Sequence, residues 1–234
     1  MAHTRILATL TLLLTAPLLL ASGTLAEMGT YRDYVFVFIR TGPTTDLTPE
    51  ARQEAFAGHF SNMERMSSAG QLLIAGPMGE PKSDPDHRGL FVLDSEDLKT
   101  GMEWANTDPT TKLGVFVLDG YRFSTAMALT ELPRLEREDE AKRLADPDLP
   151  DEWSGRMYYL ATAPYDEMRL KVASNTDDVL IAGHLHGSAP DGSDQVLLWL
   201  DVETEARAKE ILPTPDAWTL HGWYGSKMVA EMGR

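Results

Sequence analysis

The 234-residue chain contains no cysteine. This excludes a disulfide scaffold, a thiol nucleophile and any zinc site built on thiolates. It also suits an oxidising compartment, where nothing can mispair. Positive charge is scarce: 21 Lys and Arg stand against 36 Asp and Glu, a formal net charge of −15. Such a chain is repelled by phosphate backbones and anionic lipid surfaces. No nucleic-acid partner is expected, and no membrane partner once the N-terminal segment is removed. A Gly-rich phosphate loop, a Gly-x-Ser-x-Gly elbow and a His-Glu-x-x-His helix are all missing. Nucleotide cofactors and serine-hydrolase chemistry therefore lack support, and no cofactor is expected. Beyond the first 26 residues, no stretch is apolar enough to span a bilayer, which takes about 20 residues. What remains is ordinary globular composition, 43% hydrophobic and 24% charged.

The N-terminus is different. Residues 1–5 are short and basic, 6–20 apolar, and 21–26 rich in small side chains. This is the order of a secretory signal peptide, residues 1–26, with cleavage after Ala26. It predicts a periplasmic or secreted protein. The alternative is a retained anchor, which the shortness of the apolar run argues against.

Residues 34–39 (Tyr-Val-Phe-Val-Phe-Ile) read as a buried strand. Thr48-Pro49 opens a helix that runs to about Ala69 and stops at Gly70. Leu72 to Ala75 is a second strand, closed by Gly76-Pro77, and 89–93 a third. Ser95 starts a second helix, which must end near Thr107 because Asp108 precedes a proline. Residues 113–123 read as a fourth strand. The order is β-α-β-β-α-β, a ferredoxin-like unit. A second pass follows. Leu73-Ile-Ala-Gly76 recurs as Leu180-Ile-Ala-Gly183, and Leu93-Asp94 as Leu200-Asp201, at one and the same spacing. Strands are then expected at 156–161, 180–183, 196–200 and 218–224, with a helix at 203–212 and a shortened first helix within 165–175.

One such unit covers only one face of its sheet, so the other face needs a partner. The predicted fold is α+β: two tandem ferredoxin-like (βαββαβ) units packed sheet to sheet as an internal pseudo-dimer, enclosing a cleft for a small molecule. The expected domains are 27–125 and 156–234, joined by a charge-dense linker, 126–155, that carries a short exposed helix.

Residues 34–123 resemble the YCII-related (YciI-like) domain family. The likeness rests on the aromatic-aliphatic first strand, the helix carrying His59, Gln71-Leu-Leu-Ile-Ala-Gly-Pro77, Gly89-Leu-Phe-Val-Leu93 and Asn106-Thr-Asp-Pro109. The second copy resembles it only in degenerate form. The resemblance implies a dimeric α/β barrel of ferredoxin-like units, and in a few members lyase or dehalogenase activity on ring compounds. It also implies a catalytic His and Asp, matching His59 and Asp108. The second copy has neither: Pro215 stands where Asp108 would recur, with Asp216 one step late.

Phe56, Phe60 and Met63 fall at helical spacing and suggest the buried face of the first helix, with His59 just beside it. An imidazole oriented by a carboxylate is a general base suited to neutral pH. The alternative is a capping Asp at an Asp-Pro turn and a His bonded to backbone. Arg40 and Arg65 are the basic residues nearest this region, and Arg40 could hold a substrate carboxylate or simply form a surface ion pair. No metal is assigned. His184 and His186 would share one side of an extended chain, with His221 a third ligand from the last strand, but the set is incomplete. Trp199, Trp218, Trp223, Tyr158 and Tyr159 would line a pocket or fill the core. Two functions remain open: a cofactor-independent lyase- or isomerase-type enzyme on a small organic substrate, or a non-catalytic binding or accessory periplasmic protein. Homo-oligomerisation is left open.

Overall fold

Strand β1 runs from Arg32 to Thr41, and its side chains alternate between two apolar clusters. Tyr34, Phe36 and Phe38 enter one; Val35, Val37 and Ile39 enter the other. A strand buried on both faces has to be apolar throughout, which explains the unbroken run at 34–39. The computed structural model describes residues 31–80, 82–146, 148–149, 155–173 and 176–232. The expected signal peptide lies outside them. After β1 come α1 (Pro49–Ser68), β2 (Leu72–Gly79), β3 (His87–Leu93), α2 (Leu98–Ala105), α3 (Pro109–Lys112) and β4 (Phe116–Thr125). Then follow α4 (Leu132–Ala145), β5 (Gly155–Pro164), α5 (Glu167–Ala173), β6 (Val179–Leu185), β7 (Gln195–Leu200), α6 (Glu205–Ile211) and β8 (Thr219–Ser226). No helix among the described residues is long and apolar enough to cross a membrane.

Several boundaries move for identifiable reasons. Gly76-Pro77 does not close β2, which continues to Gly79. Pro77 has no N–H to give, but it sits where β2 pairs with β3 alone, the β8 pairing starting at Met78. The cap of α2 is Asp97, not Ser95: its carboxylate accepts from the Thr100 amide at 3.0 Å. Residues after Asp108 form α3 before β4 begins, so the fourth strand starts at Phe116 and not at 113.

The eight strands close into a single barrel in the order β1-β3-β2-β8-β5-β7-β6-β4. Each half keeps the neighbour order last-first-third-second: β4-β1-β3-β2 and β8-β5-β7-β6. The two expected sheets therefore do not lie apart as open layers, because their edges join. One seam is Met78 with Trp223 and Gly79 with Gly222; the other links 123–125 of β4 to 183–185 of β6. The glycines of the two Leu-Ile-Ala-Gly segments stand at these seams. A Cβ on Gly76 would meet the Tyr224 carbonyl oxygen at 2.2 Å, and one on Gly183 would meet the Phe123 ring at 2.4 Å.

Other devices occur once in each half. Arg32 pairs with Asp94 and lies 4.9 Å over the Tyr34 ring; Arg156 pairs with Asp201 and lies 4.9 Å over the Tyr158 ring. The β2–β3 register shifts between Leu72 and Ile74, and the β6–β7 register shifts between Val179 and Ile181.

The barrel interior is full. Trp199, Trp223, Tyr158, Phe36 and Phe123 are entirely buried there, with Trp199 and Trp223 edge to face at 5.9 Å. This corrects the expectation of a cleft between the sheets: side chains occupy that space. Trp218 and Tyr159 belong to a separate cluster beneath α5 and α6. Because a Cβ on Gly76 would run into the Tyr224 carbonyl oxygen and the fully buried Trp223 indole, Gly76→Ala should overpack the seam and lower stability by about 1–3 kcal/mol. Urea unfolding followed by circular dichroism would measure it; unchanged stability would mean the seam has slack.

Candidate active site

Helix α1 begins as its sequence dictates. Thr48 Oγ1 accepts from the Ala51 amide at 3.2 Å, and Pro49 occupies the first turn. Its buried stripe is Ala55, His59, Asn62 and Met66, spaced i, i+4, i+7, i+11. The expected face is thus rotated: Phe60 is 63% exposed, while His59 lies at the centre of the packed side. Two polar side chains on that stripe disguised it.

His59 Nδ1 lies 2.5 Å from Asp108 Oδ2. Asp108, 1% exposed, is also the cap of α3: its Oδ1 accepts from the Thr110 amide at 2.9 Å and from Thr110 Oγ1 at 2.6 Å. One carboxylate oxygen caps the helix and the other holds the imidazole. Burial pushes the Asp108 carboxyl up, but the bonds from His59 and Thr110 outweigh it, leaving it below the usual carboxylate value. An ionised carboxylate only accepts, so Nδ1 carries the hydrogen and, in the neutral ring, Nε2 keeps its lone pair. Nε2 has no hydrogen-bond partner among the described residues.

The approach of α3 to α1 depends on Gly58, where a Cβ would stand 2.8 Å from Pro109 Cγ. Asn62 Oδ1 ties the same junction, accepting from Thr107 Oγ1 at 3.0 Å and Arg65 Nη2 at 2.9 Å. Arg65 therefore braces the helix junction.

The imidazole sits among aromatic rings. Phe56, Phe60, Phe91 and Phe116 have centroids 5.4–6.3 Å from it. With Ile39, Pro77 and Arg88 they bound a cavity of about 220 Å³ on the helix side of the first sheet. A second cavity of about 300 Å³ lies across Phe60 and Met63, reaching Glu136 and Trp223. It is larger but lacks the imidazole, so the chemistry favours the smaller one. Arg40 is not part of either lining: its Nη1 donates to Asp119 Oδ2 at 2.9 Å, on the opposite face of β1 from Ile39. Arg88, which sequence patterning did not single out, lines the cavity instead. Its Nε donates to Thr41 Oγ1 at 2.6 Å, and its terminal nitrogens have no hydrogen bond among the described residues.

The three-histidine grouping is corrected. His184 and His186 stack with centroids 3.7 Å apart, but His221 is not with them. Its ring lies inside the barrel end, bonded through Nδ1 to Ser83 Oγ at 2.6 Å and beside His87. The side chain that does join the pair is Asp194, whose Oδ2 is 2.6 Å from His184 Nε2. Local patterning does not reveal it, since eight residues separate it from the strand. The Gly187 amide and the His184 hydrogen bond hold Asp194 below the usual carboxylate value.

Burial and neighbouring His87 push His221 down to about 4, from an ordinary 6.5. The folded state therefore disfavours its proton. Its contribution to stability is complete above about pH 6.5 and drains away as pH falls toward 4, by up to about 3 kcal/mol. In urea titrations at pH 7.5 and 4.5, His221→Gln should shrink the stability lost between those pH values. An equal loss in the variant would contradict this.

An α/β barrel carrying one imidazole–carboxylate pair beside an aromatic cavity defines the class of protein. Residues 34–119 match the YCII-related domain. No curated protein matches the chain in sequence. Among solved structures, it is similar to the 5-chloro-2-hydroxyhydroquinone dehydrochlorinase TftG from Burkholderia phenoliruptrix AC1100, in complex with 2,5-dihydroxybenzoquinone. That match has 20% identity over 37% of this chain and 89% of that one, with a TM-score of 0.27. It is also similar to DyPB from Rhodococcus jostii RHA1, at 12% identity over 86% and 95% of the two chains, with a TM-score of 0.41.

Proposed function

We propose that this chain is an exported, cofactor-independent lyase- or isomerase-type enzyme acting on a small anionic organic compound, with His59 as general base and Asp108 as the group that orients it. The observation that carries the reading is the 2.5 Å His59 Nδ1–Asp108 Oδ2 contact, with the other ring nitrogen unpartnered at an aromatic-walled cavity. The cavity is smaller than the 300–1,000 Å³ typical of drug-sized ligands, which favours a compact substrate. Arg88 would hold its anionic group. His59 Nε2 takes a proton from a carbon beside a carbonyl. The C–H electron pair forms the new double bond, and a leaving group departs with its own pair or, in isomerisation, the proton returns at another carbon.

The two halves are best read as tandem copies of one ferredoxin-like unit. The shared strand order, the paired Arg-Tyr-Asp clamps, the matching register shifts and the two seam glycines support this. The second copy is degenerate at the site: α5 carries no histidine, and Asp216 is exposed in a short turn.

His59→Ala and Asp108→Asn should each reduce kcat about 10²–10⁴-fold on a panel of small cyclic hydroxy, keto and halogenated acids, with the fold retained. Asp108→Asn should act by permitting the wrong ring tautomer. If the wild-type protein binds such compounds, turns none over, and binds them equally well after His59→Ala, the accessory-protein reading takes over. Export rests on the order of residues 1–26. Intact mass of protein recovered from a secreting bacterial host should show removal of the first 26 residues; an uncut chain would favour an anchor.

A further inference from the structure

Three ligand-type side chains meet where β6 gives way to its loop. His184 ends the outward row of the strand, His186 begins the turn, and Asp194 closes the loop ahead of β7. One donor atom from each lies within 4.8 Å of the others. Asp194 Oδ2 is 2.6 Å from His184 Nε2 and 3.8 Å from His186 Nδ1. A tetrahedral zinc site with bonds of about 2.0–2.1 Å has donor atoms about 3.3 Å apart. The two separations to Asp194 bracket that value, and the two imidazole donors lie within 4.8 Å of each other.

The surroundings orient the donors. Asp194 Oδ1 accepts from the Gly187 amide at 2.8 Å, which leaves Oδ2 facing the imidazoles. His186 Nε2 lies 2.8 Å from Ser124 Oγ, and Ser124 donates in turn to Asp33 Oδ1 at 2.5 Å. That relay places the ring hydrogen on Nε2 and the lone pair on Nδ1, toward Asp194. Tyr165 stacks on His184 at 3.8 Å and fixes its ring. The side chain of Asp194 is 42% exposed, so an ion can enter from solvent and keep a water as its fourth ligand.

We propose that His184, His186 and Asp194 form a binding site for a first-row divalent cation of the zinc type, separate from the His59–Asp108 pair. One neighbour competes with it. Arg122 Nη2 lies 3.1 Å from His186 Nδ1 and covers the lone pair that the ion would take. Arg122 is 49% exposed and its Nη1 is 3.7 Å from Asp33 Oδ2, so it yields by turning onto that carboxylate. The site is thus gated by a displaceable guanidinium.

Calorimetry with Zn²⁺ on protein free of any polyhistidine tag tests this. One ion per chain should bind, and at a hundredfold excess over Kd the Tm should rise by about 5–10 °C. Asp194→Asn, which keeps an acceptor for Gly187, and His184→Gln should each weaken binding at least tenfold, while Arg122→Gln should tighten it. No saturable binding up to millimolar Zn²⁺ would overturn the proposal, as would binding that both weakening substitutions leave unchanged. Should those variants fold poorly, the visible spectrum of Co²⁺ on the unaltered chain decides. A tetrahedral band supports the site, and a hexa-aquo spectrum refutes it.

Discussion

A four-stranded sheet with helices on one side only leaves an apolar face against water, and that exposure has to be removed. Here the two halves remove it together, by joining edges and filling the enclosed space with Trp199, Trp223, Tyr158, Phe36 and Phe123. The remaining features follow from this. The barrel centre is consumed as core, and the cavities lie outside it, against the helices. The His59 cavity lies between sheet and helix, where α1 lifts away from β1–β3. Closure also decides where glycine is needed, because edge strands of different halves approach more closely at Gly76 and Gly183 than a Cβ permits.

Within that frame, Asp108 resolves two demands with its two oxygens. A carboxylate 1% exposed is costly unless every lone pair finds a donor. Thr110 satisfies one oxygen and His59 the other. Capping and orienting the imidazole are therefore not competing accounts of this residue. The turn that α3 requires is what brings the carboxylate to the ring, and Gly58 against Pro109 sets how near the two helices come.

Much of this was legible in the residues. Alternation and turn chemistry gave the eight strands, and the recurrence of Leu-Ile-Ala-Gly marked equivalent edge strands. Pairing of His59 with Asp108 came through resemblance, not through periodicity. The aromatic pattern of α1 pointed to Phe60 as core, whereas packing selected Ala55, His59, Asn62 and Met66. A hydrophobic count cannot see a helix face whose polar members are satisfied by another helix. Arg88 and Asp194 were illegible for a related reason: each gains its meaning from residues distant in sequence, or across a loop whose path no local rule dictates. His221 misled because strand parity says which side a residue takes, not which side of a closed barrel its would-be companions occupy.

The seams carry a further consequence. β1 and β4 pair over their whole ten-residue lengths, whereas β2 meets β8 through only two residue pairs and β4 meets β6 through three. Cohesion between the halves thus comes mainly from shared aromatic packing, with little from the backbone ladder. A chain that parts along these lines offers the same two edges to a second molecule, whose complementary half can seal them with identical contacts. Reciprocal exchange of halves between molecules is therefore the misassembly this architecture invites, and crowding of partly folded chains would encourage it.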